Sequence, residues 1–312
     1  MQNLLLTISI PTYNGGDNLI RAIKSCKYIN LSKNEFEILV VDNCSTDGSI
    51  EKVRSLMQDF PNIRLIINDR NYGRIGNWNR CLDLATGKYL IFLFSNDQIS
   101  EKNKISHNIE QMTEKNIFFS MQPYEKKIKN NIYLVRRLSK NQCLINSKEF
   151  LIKNLDKFNF PFAPIQSNIY NLDIIKKYNI NFCEKFDLNG DQLFSIEVIL
   201  KNTNFLYYPN PQIVWEFTKN RFHSKVNISK VIIDDFKLLN YLITKFKLRI
   251  NYNNVICLAF IRVLRNKEWG QQEGKYKSYI FILKKIFIYR KYGFFLFCLK
   301  KIINKLFKRK EK

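Results

Sequence analysis

Four apolar runs separated by helical patterns fill the first hundred residues, and this alternation restricts the fold more than any other feature of the chain. Leu4–Ile10 reads as a buried strand that ends in a turn cluster, Pro11-Thr12-Tyr13-Asn14-Gly15-Gly16. Leu19, Ile20, Ile23 and Cys26 then recur at helical spacing. Phe36–Val41 predicts a second strand, and Ile50–Met57 a helix behind the polar capping residues Ser45, Thr46 and Asp47. Ile63–Ile67 is the third strand. Trp78, Cys81, Leu82 and Ala85 mark a helix stopped by Gly87, and Tyr89–Phe94 is the fourth strand. Such alternation predicts a parallel sheet with helices on both faces. In sheets of this kind the ligand crevice lies outside the carboxyl ends of the strands. Pro11–Asn14, Asp42, Asn68–Gly73 and Asn96-Asp97 are therefore expected on one rim.

The second hundred residues are less regular. A hairpin is expected around Lys129-Asn130-Asn131, and Asn146 with Glu149 three residues on resembles a helix start. Leu193, Ile196, Ile199 and Leu200 form a helical face. Turn-rich stretches at Phe160–Ser167 and Tyr208–Gln212 punctuate the region. Beyond about Val226 the pattern turns helical and basic. The expected organisation is a domain over residues 1–225 followed by a basic, amphipathic helical region over 226–312. No internal repeat is visible.

The net charge of +24 is unevenly spread: residues 275–312 hold thirteen Lys and Arg against one acid, Glu311. Apolar stretches such as Tyr279–Leu283, Ile286–Tyr289 and Phe294–Phe297 lie between these charges. Each is shorter than the roughly 18–20 residues of a membrane-spanning helix. Apolar faces flanked by Lys and Arg fit helices lying in an interface and drawn to anionic lipid. Packing of the same helices on the main domain, basic side to solvent, is the alternative. The seven cysteines are scattered without a CxxC pair or zinc spacing, and Met1–Leu4 carries no basic leader pattern. A reducing, cytoplasmic location at the inner face of the cell membrane is the resulting expectation.

Three aspartates carry the chemistry. Asp42 ends one apolar run, Asp97 follows another, and Asp191 lies behind a glycine at the start of a helical pattern. A carboxylate at a strand end can accept the imide N–H of uracil or thymine, which cytosine lacks, while the Tyr13 ring stacks on the base. A second strand-end carboxylate can share a divalent metal with a diphosphate. A third can take a proton from an attacking hydroxyl. The plainer alternatives are a turn carboxylate for Asp42 and helix caps for Asp97 and Asp191. Neither GxxxxGK[ST] nor GxGxxG occurs, so the common phosphate-cradling loops are excluded.

An ordered set of motifs resembles family 2 glycosyltransferases of the GT-A fold. It begins with Ser9-Ile10-Pro11-Thr12-Tyr13-Asn14 and Val40-Val41-Asp42-Asn43-Cys44-Ser45-Thr46-Asp47. It continues through Asn71-Tyr72-Gly73, Asn77-Trp78-Asn79-Arg80, Ala85-Thr86-Gly87-Lys88-Tyr89 and Phe92-Leu93-Phe94-Ser95-Asn96-Asp97. Asn189-Gly190-Asp191-Gln192-Leu193-Phe194 and Arg221-Phe222-His223 follow in order, so the resemblance spans roughly residues 5–225. It implies a Rossmann-like, nucleotide-binding mixed α/β sheet flanked by helices, with the basic helical region as a C-terminal extension. Pro11, Tyr13, Asp42, Asn71, Gly73 and Asn96 would bind nucleotide. Asp97 and His223 would hold Mn²⁺ or Mg²⁺, and Asp191 would be the general base of a direct displacement with inversion. Phe94 and Asn96 stand where the family usually has further acids, leaving Asp97 as the direct carboxylate of that run.

The expected reaction moves a sugar from a UDP-sugar, or a dTDP-sugar, to a hydroxyl of a lipid-linked or surface-polysaccharide acceptor beside an anionic membrane. The reduced acidic run motivates a rival reading, a nucleotide-binding protein without catalysis. The charge motivates another, a nucleic-acid binder, against which the strand-end acids argue.

Overall fold

The computed structural model describes residues 4–162, 164–186, 188–216, 228–251, 254–256, 258 and 259. The chain divides into two compact units, one of residues 1–148 and 162–218, the other of residues 149–161 and 219–312. The expected junction at 225 lies outside the described residues. The inclusion of 149–161 in the second unit has no counterpart in the sequence pattern.

The first unit opens with the expected alternation: β1 (Leu6–Thr12), α1 (Gly16–Ser25), β2 (Phe36–Asp42), α2 (Ser49–Leu56), β3 (Ile63–Ile67), α3 (Gly73–Leu84) and β4 (Tyr89–Phe92). It continues with β5 (Asp97–Ile99), α4 (Ile105–Glu114), β6 (Phe119–Met121), β7 (Tyr124–Ile128), β8 (Asn131–Val135) and β9 (Cys143–Asn146). Then α5 (Ser147–Leu155) leads into the second unit, and β10 (Asn168–Asn171), α6 (Leu172–Lys177), α7 (Gly190–Ile199), β11 (Asn204–Tyr207) and β12 (Ile213–Glu216) complete the first.

The main sheet has the order β3-β2-β1-β4-β10-β6-β11-β9. Its first four strands are parallel, but β10 runs antiparallel to both β4 and β6, so the sheet is mixed rather than wholly parallel. The second sheet, β5-β12-β7-β8, ends in the hairpin expected at Lys129: Ile128 pairs Asn131, and Lys129 takes a positive φ of 53° in the two-residue loop. β1 and β2 are buried along their whole length, as continuous apolar runs covered on both faces must be.

Two strand limits differ from the sequence reading. β1 starts and ends two residues later than expected, because its pairing with β2 runs from Leu6–Phe36 to Thr12–Asp42. Pro11 thus lies inside a central strand. The Ser9 carbonyl accepts from Leu93 N–H and the Thr12 carbonyl from Asn43 N–H, so residues of odd number face β4. Pro11 faces that side beyond the last β1–β4 pair, Ser9–Phe92, where its missing N–H costs no ladder bond. β4 in turn stops at Phe92 rather than Phe94. The Phe94 ring stacks on Trp78 at 5.0 Å between centroids, and its carbonyl accepts from Asp97 N–H at 2.8 Å. That tight turn makes Asp97 the first residue of β5, paired with Trp215 of β12.

In the second unit, α8 (Ile228–Phe246) buries Ile232, Phe236, Leu238, Leu239 and Leu242. Phe158 packs against Phe236 at 5.2 Å between ring centroids. The Asp156 side chain accepts from Asn251 N–H at 2.6 Å, and its carbonyl from the Asn254 amide at 2.6 Å. α8 bears three lysines and two aspartates. The concentrated basic charge of 275–312 lies outside the described residues.

Candidate active site

The register places Thr12, Asp42 and Ile67 side by side at the carboxyl ends of β1, β2 and β3, with Asn96 and Asp97 just beyond β4. The expected rim is therefore formed. Tyr13, 55% exposed, projects from it and offers a ring face. Asp42 is sunk beneath it at 1% exposure: its Oδ2 accepts Ser45 N–H at 3.0 Å and its Oδ1 the Ser45 hydroxyl at 2.5 Å. Asp42 thus closes its own turn, as its plainer reading anticipated, while each carboxylate oxygen retains further acceptor capacity.

The loop after β1 is tied to the loop after β2. Asn14 N–H donates to Ser45 Oγ at 2.8 Å, Thr46 N–H to Asn14 Oδ1 at 2.9 Å, and Gly16 N–H to Asp47 Oδ2 at 2.8 Å. Asn14 itself has φ 49°, a left-handed conformation that its short polar side chain tolerates.

Asn71 and Gly73 belong to an amide network rather than to an open phosphate loop. Asn71 Oδ1 accepts from Asn43 Nδ2 at 2.7 Å and from Gly73 N–H at 2.8 Å. Asn43 Oδ1 accepts from Asn68 Nδ2 at 3.1 Å and Tyr72 N–H at 2.9 Å, and Asn68 also donates to Asn77 at 2.9 Å. Gly73 takes φ 71° at the start of α3, which favours glycine there. Asn96, exposed, accepts from Asn18 Nδ2 at 2.8 Å, so its amide oxygen already secures the loop against α1.

Asp97 is 1% exposed, and its Oδ2 accepts from Gln166 Nε2 at 2.5 Å. Gln166 is a site residue the sequence did not reveal. It sits in the turn-rich 160–167 stretch, where neither periodicity nor spacing distinguishes it. The 3-10 turn Ile165–Ser167 that carries it packs against both β4 and α7. Among the described residues no group of three His, Cys, Asp or Glu side chains gathers to hold a metal. His223 lies outside the described residues.

Asp191 lies in the first turn of α7. Phe162 N–H donates to the neighbouring Gln192 side chain at 2.9 Å, and a side chain at Gly190 would meet Ile75 of α3 at 3.7 Å. The start of α7 therefore rests beside the α3 turn that follows Gly73. Asp191 is partly exposed, and the desolvation of its carboxyl by surrounding protein pushes its pKa up to about 6. The Gln192 N–H at 2.8 Å and the charges of Arg74 and Arg136 pull the other way without cancelling it. The cap position of α7 is Asn189, without a side-chain cap bond, so Asp191 is not the helix cap of its plainer reading but a first-turn acid inside the helix. A carboxyl poised near neutrality suits proton transfer.

Residues 7–178 match the family model for glycosyl transferase family 2, more than half of the chain. The chain is 29% identical over 215 residues to the Escherichia coli UDP-Glc:alpha-D-GlcNAc-diphosphoundecaprenol beta-1,3-glucosyltransferase WfgD, spanning 62% of this chain and 81% of that one. Among solved structures it resembles S. aureus TarS 1-349 in complex with UDP-GlcNAc, with a TM-score of 0.59 at 18% identity, covering 94% of this chain and 76% of that one. It also resembles the Pyrobaculum calidifontis mannosyltransferase PcManGT in complex with GDP-Man and Mn²⁺, with a TM-score of 0.54 at 12% identity, covering 94% and 83%. These two likenesses concern the fold. The ordered strand-end motifs, the mixed sheet they end and the family match over residues 7–178 together make the chain a GT-A glycosyltransferase belonging to glycosyl transferase family 2.

Proposed function

We propose that the chain transfers a sugar from a UDP-sugar to a hydroxyl of a lipid-linked or polysaccharide acceptor, inverting the anomeric centre, at the inner face of the cell membrane. The observation that supports this reading is the placement of Asp42 and Asp97 at one strand-end rim; the upshifted Asp191 in the first turn of α7 is the proposed base beside it. Tyr13 stacks on the base, Asp42 accepts its imide N–H, and Pro11 shapes the strand end beneath it. The Asn71–Gly73 turn and Asn96 hold the walls of the donor site. A dTDP-sugar offers the same imide N–H. WfgD, by its name, uses UDP-Glc and an undecaprenol-linked acceptor, and the same donor and acceptor classes are proposed here.

The residues present fit one divalent cation. A single protein carboxylate suffices for Mg²⁺ or Mn²⁺ when diphosphate oxygens and water complete the shell. Asp97 is that carboxylate, Gln166 fixes its orientation, and His223 is its proposed partner. When bound, the metal offsets charge on the departing nucleoside diphosphate. Asp191 takes the acceptor proton as the acceptor oxygen attacks the anomeric carbon from the face opposite the leaving group. No covalent sugar–enzyme species is needed.

Among the described residues no helix is long and apolar enough to cross a membrane. The basic residues of 275–312 are the proposed attachment to anionic lipid.

The test is release of UDP from a panel of UDP-sugars in the presence of Mn²⁺ and a polyprenyl-diphosphate-linked sugar. Acceptor-dependent UDP release that disappears in Asp191→Asn supports the reading. Release equal in that variant and the wild-type chain would remove Asp191 from the role of base.

A further inference from the structure

Arg136 is a part-buried cation that, among the described residues, is bonded to no carboxylate but lies within electrostatic reach of the proposed base. It follows β8 with φ 63°. Its Nη1 donates to Ser167 Oγ at 2.9 Å and lies 3.5 Å from Asn168 Oδ1, while Nη2, closed from solvent, contacts no acceptor. The guanidinium lies 5.6 Å from the Tyr124 ring centroid. Burial holds its pKa down to about 10, and the groups whose charge acts on it are Tyr124, Tyr170, Asp191 and Tyr207. Among the described residues none is a carboxylate bound to it. A donor closed from solvent and left without an acceptor is costly.

Its position relative to Asp191 is fixed by a continuous chain of bonds. Asn168 donates to the Tyr170 hydroxyl at 3.1 Å, Tyr170 meets Ser195 Oγ at 2.9 Å, and Ser195 donates to the Asp191 carbonyl at 3.0 Å. The adjoining Gln166 holds Asp97. One segment, 166–170, therefore positions the proposed metal carboxylate, the base helix and the Arg136 fork together.

The strand order separates this cation from the nucleoside. Tyr13 follows β1 and Asp42 ends β2, whereas the partners of Arg136, Ser167 and Asn168, lie at the start of β10, across β4. We infer that Arg136 is the recognition group for an oxyanion of the acceptor, a phosphate or carboxylate held beside the hydroxyl that attacks. Its placement on the acceptor side rests on the reading of Asp191 as base. A guanidinium presents paired N–H donors that match such a group, and seating it on Nη2 supplies the missing acceptor and a bonded counter-charge. Because Nη2 is closed in the free chain, the neighbouring side chains must give way as the anion enters.

Inorganic phosphate is the probe, titrated by calorimetry into the full chain saturated with UDP and Mn²⁺, so that donor phosphate positions are already filled. Phosphate binding is expected in the wild-type chain and about tenfold weaker or lost in Arg136→Gln, with Arg136→Lys intermediate because it keeps charge without the fork. UDP affinity in both variants is expected to equal that of the wild-type chain, which also shows them folded. Asp191→Asn should bind phosphate at least as tightly, since it removes a like charge. Failure of the UDP-saturated chain to bind phosphate would overturn the inference, as would undiminished binding in Arg136→Gln. Loss of UDP affinity in folded Arg136→Lys would also overturn it, by assigning the group to the donor. Asp191→Asn hydrolysing a UDP-sugar as fast as the wild-type chain would instead sink the base assignment, separately from the phosphate result.

Discussion

Asp191 combines two effects that are measurable apart. Only its ionised form can accept a proton, so kcat/KM should rise with pH through about 6 and then level. Asp191→Asn should lower it by about 10²–10⁴-fold. The same burial sets a stability effect of defined sign. The folded chain holds the Asp191 proton up to about 6, above the ordinary aspartate value of 3.8, so this contribution to stability is present below 3.8 and lost as pH rises through 6. Asp191→Asn should therefore melt higher than the wild-type chain at pH 7.5, by a margin that shrinks towards pH 3.5. A margin equal at both pH values, read by thermal denaturation, would show that the carboxyl is not destabilised by its surroundings.

At the scale of elements, the parallel half of the sheet is locked at the end opposite the site. Burial alone would raise the Glu37 carboxyl, but bonds from Arg64, Thr7 and Thr86 outweigh it and hold it below the usual range. Those partners come from β3, β1 and the turn before β4, so one acid staples four segments. Gly87 completes the staple. A methyl group there would lie 2.5 Å from the backbone of both Leu6 and Thr7, with no flexible atom to yield. Gly87→Ala should cost about 1–3 kcal/mol of unfolding free energy in denaturant titration; a neutral substitution would show that the turn can move away from β1. The strand-helix order up to Tyr89 was legible because each segment is stabilised by its own apolar periodicity. The antiparallel insertion of β10 was not, since Asn168–Asn171 has no alternation, and its place depends on pairing with residues nearly fifty and eighty positions away. Asp42, Asp97 and Asp191 stood out as acids at element ends. Gln166 and Arg136 did not, because their contacts with Asp97 and with Ser167 join distant segments and leave no local pattern.

For the whole molecule, the sequence concentrates half of its +24 net charge in residues 275–312, while the three aspartates of the proposed site lie within the family-like part of the chain. Each Lys or Arg near an anionic surface contributes on the order of 1 kcal/mol and loses it as salt screens the field. The full chain should therefore sediment with vesicles containing anionic lipid, release them at high salt, and ignore zwitterionic vesicles; equal binding to both lipid types would contradict attachment by charge. The central claim concerns the donor, and the most direct test is calorimetric titration of UDP into the folded full chain with and without Mn²⁺, repeated in Asp97→Ala. The account predicts UDP binding that tightens with Mn²⁺ in the wild-type chain and shows no Mn²⁺ dependence in the variant. Absence of UDP binding, or an undiminished Mn²⁺ effect in Asp97→Ala, would contradict it.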